Sequence, residues 1–238
     1  MPGIGTIINA AAIVAGGILG LFCGKLLKQE AQDSLCKACG VATLFLGMAG
    51  AMTGMLKAEG AGLVSMNSML VILSLALGTL AGELLRIEDR FEALGVWLRE
   101  KTGSKGDPKF VDAFVTASLT VCIGAMAIVG AIQDGINHDP STLMAKAVLD
   151  FIIILVMTGS MGKGCIFSAL PVAALQGAVT ALSGLLRPVL TDAAMANLST
   201  VGSVLIFCVG VNLIWGKQLK VANMLPAVVF AAAAAFLG

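Results

Sequence analysis

The chain is built almost entirely from long apolar segments, and this feature most limits the folds it can adopt. A helix needs about 20 mostly apolar residues to cross the hydrocarbon core of a bilayer. The candidate segments cover residues 4–24, 38–57, 66–85, 110–132, 143–161, 164–186, 194–214 and the shorter 222–237. The sequence therefore predicts an all-α, polytopic transmembrane helical bundle of about eight spans, forming a single domain over residues 1–238.

The small share of charged residues agrees with this prediction. Charged residues make up 12% of the chain, against about 25% in soluble domains. A soluble domain of this length would expose more surface than so few charges could cover, so the expected partner is the lipid bilayer. The net charge is +1 and the basic residues are scattered through connecting segments, which excludes nucleic acid as a partner.

One sizeable polar segment, residues 83–109, interrupts the apolar pattern. Its charges alternate with apolar residues at helical spacing, namely Leu84, Ile87, Phe91, Leu94, Trp97 and Leu98. This pattern predicts one amphipathic surface helix between spans 3 and 4. The other connections have about a dozen residues or fewer, so no room remains for a catalytic domain outside the membrane.

The distribution of Lys and Arg predicts the orientation, because cytoplasmic connections carry the excess of positive charge. The first, third, fifth and seventh connections contain Lys25, Lys28, Lys37, Arg86, Arg90, Arg99, Lys101, Lys105, Lys109, Lys163, Lys217 and Lys220. Only Lys57, Lys146 and Arg187 remain for the other side. We therefore expect both termini outside a bacterial inner (cytoplasmic) membrane.

Glycines recur every fourth residue in three of the predicted helices. They are Gly16, Gly20 and Gly24, then Gly50 and Gly54, then Gly78 and Gly82. Small residues at this spacing let two helix backbones approach closely. The contacts could lie within the bundle or across a homodimer, and the sequence leaves both alternatives open.

Two stretches indicate an internal duplication. Residues 19–30 are similar to residues 77–88, and a fainter third copy pairs Gly177 and residues 184–186 with a helix that contains residues 208–210. The predicted repeat units are 4–57, 66–132 and 164–214, and the charge count places the third upside down relative to the others. Inverted repeats recur in secondary transporters.

Lys146 and Asp150 lie one turn apart in an apolar helix. The spacing puts both side chains on one helix face, and a charge near hydrocarbon needs such a partner. One reading is a structural ion pair. The other is that Asp150 binds a cation or proton while Lys146 competes for it, because ionisable residues inside membranes are commonly functional.

A glycine-rich stretch, residues 158–164, contains Gly159, Gly162 and Gly164 and separates two apolar segments. It lacks the spacing of a phosphate-binding loop, so ATP is not expected. The alternatives are a tight cytoplasmic turn and a broken helix whose free backbone groups coordinate an ion or substrate.

Several other polar residues interrupt the apolar segments and could line one cavity. They are Asn9, Ser168, Gln176, Asn197 and Asn212. Interhelical hydrogen bonds of about 0.6 kcal/mol each are the simpler explanation for any one of them. Gln176 is favoured as a ligand because it follows the glycine-rich stretch. No His/Cys/Asp/Glu cluster has metal-ligand spacing and no Ser-His-Asp set can form, so we expect no metal, no cofactor and no enzyme activity.

The motif of residues 123–128, with Gly130, Gly135, Lys146 and Asp150, resembles the YqgA/YdfK-like family of bacterial inner-membrane proteins. The similarity continues through further residues along nearly the whole chain, namely residues 141–143, Gly162, Gly164, Phe167, Ser168, Gln176, Gly177, Asn9, Gly210, Asn212, Asn223, Leu225 and Pro226. Lys163 departs from the pattern, which expects an apolar residue there. The resemblance implies location and architecture more than activity, because members are described mainly as uncharacterised membrane proteins with a suggested link to transport.

Two functions remain. The first is a secondary transporter or channel for a small ion or metabolite, with Lys146, Asp150, Ser168 and Gln176, joined by Asn9 and Asn212, around a site near mid-membrane. The second is a non-transporting scaffold or accessory subunit whose glycine faces and amphipathic segment serve assembly.

Overall fold

The described part of the chain is helical apart from its connecting loops and one small hairpin. The computed structural model describes residues 3–26, 28–60, 62–123, 125–186 and 191–236. The elements are α1 (Ile4–Leu26), α2 (Gln29–Met55), β1 (Leu56–Glu59), β2 (Gly62–Ser65), α3 (Ser68–Leu85), α4 (Ile87–Lys101), α5 (Phe110–Cys122), α6 (Ala125–Asn137), α7 (Ser141–Met161), a 3₁₀ helix (Lys163–Ser168), α8 (Ala169–Ala181), α9 (Ser183–Leu186), α10 (Asp192–Trp215), α11 (Val221–Met224) and α12 (Pro226–Ala234).

Within the described residues, six helical segments are long and apolar enough to cross a membrane, one of them formed by the 3₁₀ helix together with α8, or seven if a bent pair counts as one span. The pair consists of Phe110–Cys122 and Met126–Asn137, which meet at 61°. The predicted span 110–132 is therefore two helices. The predicted span 222–237 is a shorter apolar helix, Val221–Ala234, in which Pro226 starts α12 because it has no N–H to continue α11.

The hairpin was not predicted. It occupies the end of the expected span 38–57, where β1 and β2 pair antiparallel with Leu56 opposite Ser65 and Glu59 opposite Gly62. Gly60 adopts a positive φ of 60° at the turn, a conformation that costs glycine little. Both strands are largely exposed.

The chain folds into two compact units. Unit 1 comprises Met1–Cys39, Arg90–Cys122 and Met126–Arg187. Its core contains the fully buried Phe110 and Phe114, and the Phe110 ring lies 5.4 Å from that of Phe167 in the 3₁₀ helix. α1 packs along α7 through its glycines: a Cβ atom at Gly16 would lie 2.5 Å from the carbonyl oxygen of Phe151, and one at Gly24 would lie 2.7 Å from that of Gly159.

Unit 2 comprises Gly40–Asp89, Ile123–Ala125 and Pro188–Gly238. Val71, Val201, Ala227 and Ala231 form its apolar core. Here too the glycines mark close helix contacts. Gly78 and Gly82 of α3 face Ala227 and Asn223, and Gly50 and Gly54 of α2 face Ser203 and Thr200 of α10.

These contacts decide between the two alternatives that the glycine pattern left open. The glycines of all three stripes pack against helices of the same unit, where the lack of a side chain lets the backbones approach closely. The faces are thus occupied within the chain. A homodimer would need a different surface from the glycine-rich faces proposed for it.

The polar segment forms α4, whose buried positions include Glu88 and Leu98, whereas Leu94 and Trp97 are exposed. The polar segment therefore contains a helix, but Leu84, which was expected on the amphipathic helix, belongs to α3. Arg86 adopts a positive φ of 50° and separates α3 from α4.

Candidate functional site

The centre of the candidate site is the ion pair predicted from the sequence. The Lys146 ammonium donates to Asp150 Oδ1 at 2.8 Å, and the two side chains are 9% and 3% exposed. Asn9 of α1 donates from Nδ2 to the other oxygen, Oδ2, at 3.0 Å. Asp150 therefore uses both carboxylate oxygens, one for a charge on its own helix and one for an amide on a neighbouring helix.

Unit 1 also contains buried polar atoms without partners. Asn9 is fully buried, and its Oδ1 has no hydrogen-bond partner among the described residues. Gln176 of α8 is 1% exposed, and neither its Oε1 nor its Nε2 has a partner there. A buried polar atom without a partner costs about 1–3 kcal/mol, and more where lipid excludes water. Such atoms are a property of a site that binds water or a ligand.

Ser168 is fully buried at the junction of the 3₁₀ helix and α8. Its Oγ donates to the carbonyl oxygen of Cys165 at 2.7 Å. This bond satisfies the hydroxyl locally, three residues back along the chain, as serines in membrane helices commonly do. Of the candidate residues in unit 1, Ser168 is the one whose side chain already has a local structural use.

The three glycines of residues 158–164 have different roles. Gly159 lies inside α7 against Gly24, whereas Gly162 has a φ of 99° and ends the helix. Gly164 lies in the 3₁₀ helix, where a Cβ atom would collide with the carbonyl oxygen of Phe110. A single residue, Gly162, connects α7 to the 3₁₀ helix. Gly162 is therefore the residue that interrupts the helix.

Asn212 belongs to unit 2, on α10. Its Oδ1 accepts from the backbone N–H groups of Gln218 and Leu219, each at 2.9 Å, and its Nδ2 donates to the carbonyl oxygen of Leu219 at 2.7 Å. These three bonds hold the loop between α10 and α11. The side chain of Asn212 is thus used for a turn within its own unit.

Two residues of unit 1 were not singled out from the sequence. Asp134 of α6 is fully buried; its Oδ2 accepts from the backbone N–H of Gly5 at 2.9 Å, and its Oδ1 has no partner among the described residues. Thr6 is 7% exposed, and its Oγ1 is likewise without a partner there. The sequence did contain a feature that could have identified Asp134. It is an acid in the last turn of an apolar helix, where the helix dipole disfavours a negative charge.

Unit 2 has its own buried carboxylate, Glu88, which is 4% exposed. Its Oε2 accepts from the backbone N–H of Ala222 at 3.0 Å, and its Oε1 lies 3.0 Å from the ammonium of Lys217. In return, the backbone N–H of Glu88 donates to Asn223 Oδ1 at 2.7 Å. The two segments thus cap each other's helix N-termini, a structural arrangement that leaves both Glu88 oxygens occupied.

Outside the spans, Asp139 precedes α7. Its Oδ1 accepts from the backbone N–H of Ser141 at 3.0 Å, and this hydrogen bond lowers the pKa of the carboxyl below its ordinary value. As for metals, no group of three or more His, Cys, Asp or Glu in the described ranges is arranged to hold an ion.

Helices of this length and apolarity, packed through glycines and enclosing a charged pair, define a multi-pass helical membrane protein. Residues 4–236 match the family described as "Protein of unknown function (DUF554)", and the chain belongs to that family. This confirms the resemblance noted in the sequence.

Two relatives are similar over almost their whole length. The uncharacterized protein YqgA of Escherichia coli (strain K12) is 28% identical over 232 residues, which cover 96% of this chain and 94% of that protein. The uncharacterized membrane protein YdfK of Bacillus subtilis (strain 168) is 30% identical over 222 residues, which cover 93% and 91%. No solved structure matches the chain.

Proposed function

We propose that this protein is a secondary transporter or channel for a small ion or metabolite, and that its site is the Asn9–Asp150–Lys146 cluster with Gln176. The observation that carries the proposal is a buried ion pair in the same unit as several buried polar atoms without partners, one of them on Asn9, which contacts Asp150. Ionisable residues within membrane helices are costly and mark ion and substrate pathways. A scaffold has no need to leave Gln176 unsatisfied.

Lys146 gives the site a simple way to respond to a ligand. A cation or proton that binds Asp150 competes with the Lys146 ammonium for the same carboxylate, whereas an anionic solute competes with Asp150 for the ammonium. Either ligand would open the 2.8 Å pair. Because a buried charge that loses its partner costs about 3–5 kcal/mol, the pair closes again when the ligand leaves.

A cavity near the end of α7 supports access to the site. It has a volume of about 370 Å³ and is lined in part by Gln32, Asp107, Lys109 and Thr158. Thr158 lies two turns beyond Asp150 on α7, a distance of about 12 Å along the helix axis. We propose that this cavity is one end of the pathway.

We propose eight membrane crossings for the chain. α1 and α7 run in the same direction, because Gly16, Gly20 and Gly24 face Phe151, Leu155 and Gly159 in ascending order. With α2 and α3 each crossing once in between, this direction requires the bent pair α5 and α6 to cross as well.

The packing of α12 against α3, rather than the length of α12, supports the eighth crossing. Asn223 lies against Gly82 and Ala227 against Gly78, while Ala231 reaches the cluster around Val71. α11 and α12 therefore run antiparallel along most of α3. If α3 spans the bilayer, its partner helix does too.

The excess of Lys and Arg in alternate connections supports termini outside the cytoplasm, and the all-helical spans support the bacterial inner membrane, since outer-membrane proteins span as β-barrels. The exposed Leu94 and Trp97 of α4 support a position at the membrane surface.

The repeat units and a homodimer stay predictions. Among the matched repeat glycines, Gly20 and Gly24 face a parallel helix, whereas Gly78 and Gly82 face an antiparallel one.

The test is thermal unfolding of the purified full-length protein with a panel of inorganic cations, anions, amino acids and polyamines. A solute that binds the folded state raises the midpoint temperature in proportion to the logarithm of its concentration. We expect one solute class to raise it, and we expect Asp150→Asn to remove that rise. Asp150→Asn keeps the shape of the side chain and an oxygen for Asn9.

The matched control is Glu88→Gln, which removes the charge of a buried, lysine-paired carboxylate in unit 2. It should leave the solute response intact. If no solute class has an effect, and Asp150→Asn is merely less stable, the ion pair is structural and the scaffold function replaces transport.

A further inference from the structure

The second buried carboxylate of unit 1, Asp134, has no assigned role, although its surroundings are polar. Three helices meet beside it. Gly5 of α1 donates to Asp134 Oδ2 at 2.9 Å, Thr180 of α8 donates to the carbonyl oxygen of Ala131 at 3.1 Å, and a Cβ atom at Gly135 would lie 2.7 Å from the carbonyl oxygen of Thr180. The N-terminal turn of α1 and the C-terminal halves of α6 and α8 therefore lie at one level.

Three further residues with partnerless atoms, Thr6, Asn9 and Gln176, lie on helices that meet at this level. Asn9 is one turn beyond Gly5 on α1, and Gln176 is one turn before Thr180 on α8, so both lie one turn from Asp134 on the side of Asp150. Thr6 lies on α1 between Gly5 and Asn9. Five buried side-chain oxygen atoms of the described residues lack a partner. Four are Asp134 Oδ1, Thr6 Oγ1, Asn9 Oδ1 and Gln176 Oε1, and the fifth, Thr158 Oγ1, lies towards the other end of α7.

The charges of this region do not balance. Lys146 neutralises Asp150 at 2.8 Å. Asp134 is fully buried, and no Lys, Arg or His of the described residues forms an ion pair with it. An ionised Asp134 is thus a fully buried charge with no counter-charge among the described residues, and such a charge is costly. A ligand with a single positive charge would balance it, whereas a divalent ion would reverse the imbalance.

We propose that Asp134 binds a monovalent alkali cation, of which sodium is the smallest physiological example, with Thr6 Oγ1 and Asn9 Oδ1 as further oxygen ligands. The ligand set is oxygen only, as hard cations prefer. The inference rests on the proposed function, because it supplies that site with a coupling ion.

Asn9 links the two carboxylates. Its Nδ2 donates to Asp150 while its Oδ1 is left for the cation. A cation at Asp134 therefore fixes the orientation of the amide that also holds Asp150. Occupancy of the cation site should tighten solute binding at Lys146 and Asp150, and by linkage the solute should tighten the cation.

The experiment measures thermal unfolding of the full-length protein in choline chloride, with sodium, lithium or potassium chloride substituted at constant ionic strength. We expect an alkali cation to raise the midpoint by several degrees in a saturable manner. Asp134→Asn should abolish the rise, because it removes the charge but keeps an oxygen for the N–H of Gly5. Thr6→Val, which removes only the hydroxyl, should shift the response to at least severalfold higher concentration.

Two further variants make the result decisive. Asp139→Asn removes an exposed acid five residues away and should leave the response unchanged, whereas Asp150→Asn should keep the alkali response while losing the solute response. An alkali response without any solute response would thus retain this inference and reject the proposed solute site. The inference is overturned if no alkali cation raises the midpoint, or if the rise survives in Asp134→Asn. It is also overturned if the midpoint responds to a change of pH but to no alkali cation.

Discussion

Units 1 and 2 are packed in the same way but treat their buried polar groups differently. In both, glycines let helix backbones meet closely. In the described part of unit 2, no buried side-chain nitrogen or oxygen lacks a hydrogen-bond partner, and Glu88 uses both carboxylate oxygens. In unit 1, Asn9, Asp134 and Gln176 all leave atoms without partners.

The two units differ in whether their buried polar groups have hydrogen-bond partners, and this difference distinguishes polar groups with a structural use from candidate functional ones. Membrane helices tolerate buried polar groups when those groups are satisfied, as around Glu88. Groups left unsatisfied reduce stability and persist where they serve something else, since natural proteins violate such rules mainly at functional sites. The candidate site therefore lies in unit 1, where such unsatisfied groups occur.

The largest expected effect comes from Asp150→Ala. Removing the carboxylate leaves Lys146 buried without a partner, which should lower the free energy of unfolding by about 3–5 kcal/mol. The double variant that combines Lys146→Met with Asp150→Leu should restore most of that loss, because no charge is then buried. Denaturant unfolding in mixed micelles measures both changes.

Glu88→Ala is the matching change in unit 2. Lys217 is 43% exposed and stays hydrated when its partner is removed, so this loss should be the smaller of the two. An equal or larger loss at Glu88 would contradict the contrast between the units.

Replacing the two buried amides by leucine should have opposite results. Asn223→Leu deprives the N–H of Glu88 of its acceptor and should cost about 1–3 kcal/mol of unfolding free energy. Gln176→Leu removes two atoms that have no partner among the described residues, so it should be neutral or stabilising while it weakens solute binding. Unfolding and solute-induced shifts are measured on the same samples; a strongly destabilised Gln176→Leu would show that the amide is satisfied in solution.

The glycines test the feature that the units share. Gly20→Ala and Gly82→Ala each place a methyl group against the backbone of a neighbouring helix, and each should cost about 1–3 kcal/mol of unfolding free energy. Gly177→Ala is the control, because nothing lies within 4 Å of its Cβ position; the better helix propensity of alanine should make it neutral or up to about 1 kcal/mol stabilising. A harmless Gly20→Ala would mean that α1 and α7 are not in contact.

The smallest effect should come from Asp139, which lies in unit 1 but is exposed. Its pKa in the folded protein is lowered by the N–H of Ser141, so its contribution to stability is present above the unfolded value of about 3.9 and is lost as the pH falls towards the folded value. Unfolding midpoints of the wild type and Asp139→Asn should therefore converge at acid pH. Midpoints that diverge at low pH would reverse the assigned sign.

Local sequence predicted the features that depend on neighbouring residues. Most span boundaries follow from apolar length, and the Lys146–Asp150 contact follows from a spacing of four on one helix. Length alone was a poor guide for the segments 110–132 and 222–237, because the backbone bends between α5 and α6 and Pro226 divides the last helix. Asn212 was grouped with the site on polarity alone. The sequence does not distinguish an asparagine whose amide holds a turn from one whose amide binds a ligand.

By itself, the sequence determined that this chain crosses a membrane several times, that it belongs with YqgA-like proteins, and that one charged pair lies within a span, because hydropathy and helical periodicity are local quantities. Only the tertiary structure decided that Asn9 meets Asp150 across 141 residues, that Asp134 meets the start of α1, and that the glycines are used inside the chain. Those contacts depend on which helices become neighbours, and lipid, which is as apolar as the helix surfaces, leaves that choice to shape and to a few polar groups.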